Sequence, residues 1–295
     1  MKNRKVKSNR AQADYFELLV CQYICHLYNI TFSYSKDLAE LSNKILSLPS
    51  GTARLKLQND NFIKIQPKIK EILDYEINQK GKVINVIWVG RNLLIETTSD
   101  VDAEHISRLK TRFSIKSISE SGLGTIRNLG MRSLKEYLNI DFSPGYKKMW
   151  QELRSFAEKP DLSNTELKKI TLNNKRLFEF ASKNGRKYQN KLNQSCFKAL
   201  NRLSKERKLD FLNFILDAKD KDLYVIIANS KGVVVYKPDS KKLRSDSKIK
   251  AKKISDVGYT IYIDNIPTYR IQTNATNGIG ISAFCQRVFF ADIKQ

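Results

Sequence analysis

Apolar residues recur at helical spacing through residues 11–30, AQADYFELLVCQYICHLYNI, and predict a long amphipathic helix. Two further helices are expected over residues 36–48 and 64–79, with Pro49-Ser50-Gly51 as the break between them. The period then changes. Gly81 opens KVINVIWVG, a strand rich in Val and Ile that Gly90-Arg91-Asn92 ends. Residues 93–107 (LLIETT, then DVDAEHIS) read as extended chain, and RFSIKSIS alternates cleanly between two faces. A turn at Arg108 to Thr111 would join these last two as a hairpin. The stretch from Glu120 to Met131 holds three glycines and predicts a loop, leading to a helix near 132–138.

Residues 146–218 read as mostly helical, punctuated by Pro160 and Gly185. Past residue 220 alternation takes over. DLYVIIANSKGVVVYK carries a hairpin signal with Ser230-Lys231-Gly232 at the turn, and YTIYID, TYRIQT and GISAFCQRVFF are alternating strands. Residues 239–253, rich in Lys and Ser, are expected to be mobile. The fold class predicted is α/β (α+β): a mixed core with flanking helices, a helical middle and a β-rich end. The corresponding blocks are 1–145, 146–218 and 219–295, which could also form one compact domain.

Composition narrows the class. With 295 residues, 41% of them hydrophobic and 10% aromatic, the chain can bury a proper core and is not a disordered basic tail. No run of about 18 apolar residues occurs, so no membrane span is expected. Met1 to Arg10 is basic but leads into an amphipathic stretch bearing Asp14 and Glu17, which predicts a cytoplasmic protein. The cysteines Cys21, Cys25, Cys196 and Cys285 form no C-x-x-C pair. Cys21, Cys25 and His26 lie together, but a structural zinc needs four ligands and the other histidine is His105. Within an apolar run, buried cysteines are the expected reading.

Charge changes the picture most. The chain carries 53 Lys+Arg against 30 Asp+Glu, a formal net charge of +23. Residues 1–10 contribute +5, residues 164–208 +10 and residues 231–253 +7, leaving +1 for everything else. Three concentrated blocks separated by near-neutral chain argue for a polyanionic partner and against an enzyme of small neutral substrates.

Candidate chemistry lies in Thr98 to Glu104 and in Phe113-Ser114-Ile115-Lys116-Ser117. On strands, Ser114 and Lys116 share one face, as do Asp100, Asp102 and Glu104. An acid at the start of one strand and a lysine on the next can meet at one edge of a hairpin. There a carboxylate can hold Mg²⁺, and a lysine can orient the attacking water or stabilise developing charge on a phosphate. The alternative is that Asp100 and Asp102 cap a turn and Lys116 is an exposed strand lysine. His105 is a weaker candidate for a general base, since a lone strand histidine is more often structural.

These residues resemble the PD-(D/E)xK nuclease superfamily and, within it, the type II restriction endonucleases, over roughly residues 11–140. Ser99-Asp100 stands in the Pro-Asp position and Ser114-Ile115-Lys116 in the Glu-x-Lys position, with serine replacing the second carboxylate as in a subset of these enzymes. Asp14-Tyr15-Phe16-Glu17 matches the early helix whose glutamate reaches the metal in many members. The resemblance implies Mg²⁺ held by Asp100 with Glu17 or Asp102 and with Ile115, and Lys116 beside the nucleophilic water. It implies hydrolysis of double-stranded DNA at a short site, a homodimer if that site is palindromic, and neither a membrane nor another small-molecule cofactor. A repair or junction-resolving nuclease and a non-catalytic nucleic-acid-binding protein are the competing readings. For base edges, residue chemistry offers Arg127 and Asn128 in the glycine-rich loop and Arg270, Gln272, Asn274 and Asn277 near the end. The lysine blocks at 164–208 and 231–253 would meet phosphates.

Overall fold

The computed structural model describes residues 8–32, 35–89, 99–118, 125–216, 220–238, 246–275 and 284–291. Along the chain come helices α1 (Ser8–Tyr28), α2 (Ser35–Leu46) and α3 (Gly51–Lys80), then strands β1 (Val83–Trp88), β2 (Val101–His105), β3 (Lys110–Ser117) and β4 (Arg127–Leu129). Five helices follow: α4 (Met131–Leu138), α5 (Ser143–Ala157), α6 (Asn164–Asn173), α7 (Lys175–Arg202) and α8 (Lys205–Leu216). The remainder is β5 (Leu223–Asn229), β6 (Gly232–Tyr236), β7 (Ile249–Ser255), β8 (Gly258–Ile263), β9 (Ile266–Ala275) and β10 (Phe284–Phe290). Mixed α+β describes this inventory: eight helices and two sheets among the described residues.

The chain divides into two compact units that do not follow the three sequence blocks. The first joins Met1–Gly124 to Asp217–Lys242, and the second joins Thr125–Leu216 to Leu243–Gln295. In the first unit the strand order is β1-β2-β3-β5-β6. β3 pairs antiparallel with β2 and parallel with β5, so the sheet is mixed, and its parallel step uses chain from more than a hundred residues further on. The hairpin expected between β2 and β3 is present, turning at Arg108 in the left-handed region (φ 65°). The β5–β6 hairpin turns at Ser230-Lys231.

Helical periodicity explains how the first unit buries its core. α1 contributes Phe16, Val20, Cys21, Ile24 and Cys25, and α3 contributes Ile65, Ile69, Ile72 and Leu73. They pack against Val83, Val86, Val101, Ala103, Phe113, Ile115, Tyr224, Ile226 and Ala228 of the sheet. Cys21 and Cys25 are therefore core residues. α3 begins at Gly51, well before the expected start at residue 64, and runs through Pro67. Its buried residues Gln58, Asn61, Ile65, Ile69, Ile72 and Glu76 keep helical spacing on both sides of the proline, and this tertiary contact outweighs the missing hydrogen bond. Gly51 itself is required by close approach: a Cβ there would lie 2.3 Å from the Ile45 carbonyl oxygen.

In the second unit the strand order is β4-β10-β9-β8-β7, all antiparallel. α7 lies along this sheet. Asn201 exchanges two hydrogen bonds with the Ala251 backbone (3.0 and 3.2 Å), and Asn193 donates to the Asp256 carbonyl at 3.2 Å. Buried side chains continue the polar connection, with Thr273 donating to Asn193 and Tyr259 donating to Gln286. Two sequence expectations are corrected here. Arg127 and Asn128 lie in strand β4, paired with β10, and not in a loop. Residues 249–253 of the segment expected to be mobile form part of β7, because Ile249 and Ala251 alternate inward while Lys250 and Lys252 face out.

A buried ion cluster ties α3 to β5 and β6. Glu76 is 1% exposed, lies 2.8 Å from Lys80 and 3.4 Å from Lys237, and accepts a hydrogen bond from the Tyr224 hydroxyl. Burial alone would raise its pKa, but the bonds from Lys80 and Tyr224 and the two lysine charges outweigh it and hold the carboxyl below its ordinary value. Lys80 also reaches Asp222 at 2.8 Å and the Lys110 carbonyl at 2.7 Å. Removing one member leaves its partners buried without compensation. Glu76→Ala is expected to cost about 3–5 kcal/mol in urea unfolding, far more than substitution of an exposed acid such as Asp74.

Candidate active site

Asp100 stands just ahead of β2, where the chain on either side holds its backbone. Its amide donates to the Phe113 carbonyl of β3 (2.7 Å), and its carbonyl accepts from the Val89 amide just past β1 (2.9 Å). Core packing fixes which way the side chains point. Phe113 and Ile115 belong to the hydrophobic core, so Ser114 and Lys116 fall on the other face of β3. Asp100 meets them there. Its Oδ2 accepts from the Lys116 ammonium at 3.0 Å, the Ser114 hydroxyl at 3.2 Å and the Ile115 amide at 2.8 Å. The Asp100 side chain is 14% exposed and that of Lys116 33%, so the pair is sheltered yet open to solvent.

Glu17 approaches from α1. Its side chain is nearly buried, and Oε2 accepts a hydrogen bond from the Trp88 indole nitrogen at 2.7 Å. Its pKa is raised to about 7, first by burial and next by the nearby negative charge of Asp100. The Trp88 bond and the charges of Arg10 and Lys116 oppose this and do not cancel it. Trp88 escaped the sequence reading; its only signal was an aromatic at the end of a Val- and Ile-rich strand.

Asp102, the other acidic candidate, lies elsewhere. Its Oδ2 is 3.5 Å from Lys110 and 3.9 Å from Arg112, and Arg112 also binds Asp220 at 2.8 Å. It belongs to a charge cluster further along the strands. His105 is fully buried, with Nδ1 bonded to the Gly81 carbonyl (2.7 Å) and Nε2 to the Thr111 hydroxyl (2.8 Å). Both ring nitrogens are engaged, so it is a structural residue rather than a general base.

Among the described residues no three His, Cys, Asp or Glu side chains converge as a cation cage. The donors that do gather are two carboxylates, Glu17 and Asp100, with the Ser114 hydroxyl beside Asp100. Their repulsion is the kind a hard divalent cation relieves, and oxygen donors suit Mg²⁺. The donor chemistry of Glu17, Asp100 and Ser114, all oxygen, therefore fits a hard divalent cation.

The base-reading candidates are dispersed. Arg127 donates to the Phe214 carbonyl of α8 and stacks on the Phe214 ring, 3.9 Å from its centroid, so it serves the interior of the second unit. Asn128 is exposed on β4, while Arg270, Gln272 and Asn274 alternate along β9 with buried Tyr269, Ile271 and Thr273. Asn277 lies outside the described residues. In the basic block of α7, Lys187 pairs with Glu152 at 3.2 Å, whereas Lys183, Arg186 and Lys198 are exposed.

The raised Glu17 carboxyl has a stability consequence with a definite sign. A proton held more tightly in the folded state favours folding at low pH, and that advantage is lost as pH rises from about 4.5 towards 7 and above. Glu17→Gln keeps an acceptor for Trp88 and removes the buried charge. In EDTA the variant is expected to be the more stable protein at pH 8, by a few kcal/mol, with the difference vanishing near pH 4. Urea titrations at the two pH values check this, and equal stability at pH 8 would contradict it.

Comparison of the chain with protein-family models, with curated proteins and with solved structures finds no match.

Proposed function

We propose that this protein is a Mg²⁺-dependent endonuclease of the PD-(D/E)xK type, cutting double-stranded DNA at a short specific site as a type II restriction enzyme does. The observation that carries the reading is the 3.0 Å approach of Lys116 to Asp100, sixteen residues apart, with Glu17 close enough for its titration to respond to both. Around a scissile phosphate these groups have separate tasks. Asp100 and Glu17 would hold Mg²⁺, which supplies charge neutralisation at the phosphate. Lys116 orients the attacking water and, as a cation, favours the extra negative charge of the pentavalent transition state. Ser114 keeps Asp100 aligned through its hydroxyl. Trp88 fixes the Glu17 carboxyl in the middle of α1 through its indole hydrogen bond. Action as a homodimer would follow from a palindromic target.

A second reading has its own support. With no third acid beside Asp100 among the described residues, the Asp100–Lys116 pair could serve as a structural clamp in a protein that only binds nucleic acid. Digestion of a fully sequenced plasmid with Mg²⁺ separates the two. Discrete bands are expected from the wild type, with Lys116→Ala and Asp100→Ala slower by roughly 10²–10⁴-fold. Cleavage confined to branched DNA would shift the assignment to junction resolution. Variants that cut like the wild type would remove the assigned site, and a wild type that cuts nothing would leave the binding protein.

A further inference from the structure

The two faces of the second sheet differ in what they display among the described residues, and the pairing register says which residues share each. Leu129, Val288, Ile271, Tyr259 and Ile261 are buried on the α7 side. On the opposite side, Asn128, Arg287, Gln272 and Gly258 line up across β4, β10, β9 and β8. The neighbouring row is Phe289, Arg270, Thr260 and Lys252 across β10, β9, β8 and β7, and Lys250 sits opposite Tyr262. Arg270, Arg287, Lys250 and Lys252 are all exposed. No acidic residue occurs at any of these positions. Four cations are thus displayed on a regular antiparallel lattice, interleaved with amides and with Tyr262, whose ring carries Lys252 at 4.7 Å.

We propose that this cation-bearing face of the second sheet is a binding surface for duplex DNA, with Arg270, Arg287, Lys250 and Lys252 on phosphates and Asn128, Gln272 and Asn274 towards base edges. Charge complementarity selects a polyanion, and the amides between the cations are the side chains that pair with base edges. Spacing selects the duplex. Three strand intervals separate Arg287 on β10 from Lys252 on β7, about 14 Å at the usual strand separation. That distance is close to the ~12 Å width of the major groove, so Arg287 in one row and Lys252 in the neighbouring row can meet the two flanking backbones. The inference rests on DNA being the substrate proposed above, and it assigns the grip to residues of the second unit rather than to the Asp100–Lys116 site.

Binding of a fluorescein-labelled 30-base-pair random duplex, followed by anisotropy in EDTA at several salt concentrations, tests it without requiring cleavage. R270A/R287A and K250A/K252A double variants, checked by melting curves, are each expected to weaken binding at least tenfold. Each is also expected to flatten the slope of log K against log salt by about 1 per lost phosphate contact. Unchanged affinity and slope in both variants would overturn this surface while leaving the nuclease reading intact. Tighter binding of the corresponding single strand would overturn the assignment to duplex DNA. A wild type that binds no DNA at all would remove the proposed substrate and, with it, this surface.

Discussion

Strand β3 is paired along both edges, antiparallel to β2 and parallel to β5, and its alternate residues are fixed by what lies on each side. Phe113 and Ile115 are committed to the core beneath α1 and α3. Ser114 and Lys116 therefore have no choice of face, because a slip of one residue would exchange the whole set and bury a lysine in an apolar layer. The convergence on Asp100 follows from this. Its backbone is caught between β1 and β3, and its carboxylate takes donors from three consecutive residues of a strand that cannot rotate. The geometry is thus a property of the sheet and not of a flexible loop.

The same sheet creates an electrostatic conflict that it does not resolve internally. Burial and the charge of Asp100 raise the Glu17 carboxyl, and the charges of Arg10 and of Lys116, itself 3.0 Å from Asp100, offset this only in part. Proteins tolerate such conflicts where a ligand or a reaction makes use of them. By contrast, the Glu76 cluster gathers two lysines and a tyrosine around one acid and is balanced within the fold.

Much of this was legible in the sequence, for identifiable reasons. Alternation in RFSIKSIS placed Ser114 and Lys116 on one face, and the acidic start of DVDAEHIS placed Asp100 beside them. Glu17 is offered only by the resemblance of Asp14-Tyr15-Phe16-Glu17 to a known early helix, since helical spacing alone does not say that it is nearly buried against Trp88. Asp102 was harder to read: it shares strand parity with Glu104, and only three-dimensional neighbours reveal that Lys110 and Arg112 engage it. Arg127 illustrates the same limit, since a residue type suited to guanine is here used to hold a carbonyl and an aromatic ring. The two-unit division was invisible to local pattern. β5 and β6 look like the start of a β-rich end, and nothing in DLYVIIAN states that its partner is a strand beginning at Lys110.

That distant partnership sets a clock on biosynthesis. The lysine strand leaves the ribosome with one edge bare, and the segment that covers it, Leu223–Asn229, is made only after roughly a hundred further residues. At translation speeds of about 5–20 residues per second, the nascent chain waits some 5–20 seconds with that edge of β3 unpaired. The helices and the start of the second unit emerge during that interval. The sheet that carries Asp100 and Lys116 is therefore completed only after α4 to α8 have been made, and before β7 to β10 of the second sheet exist.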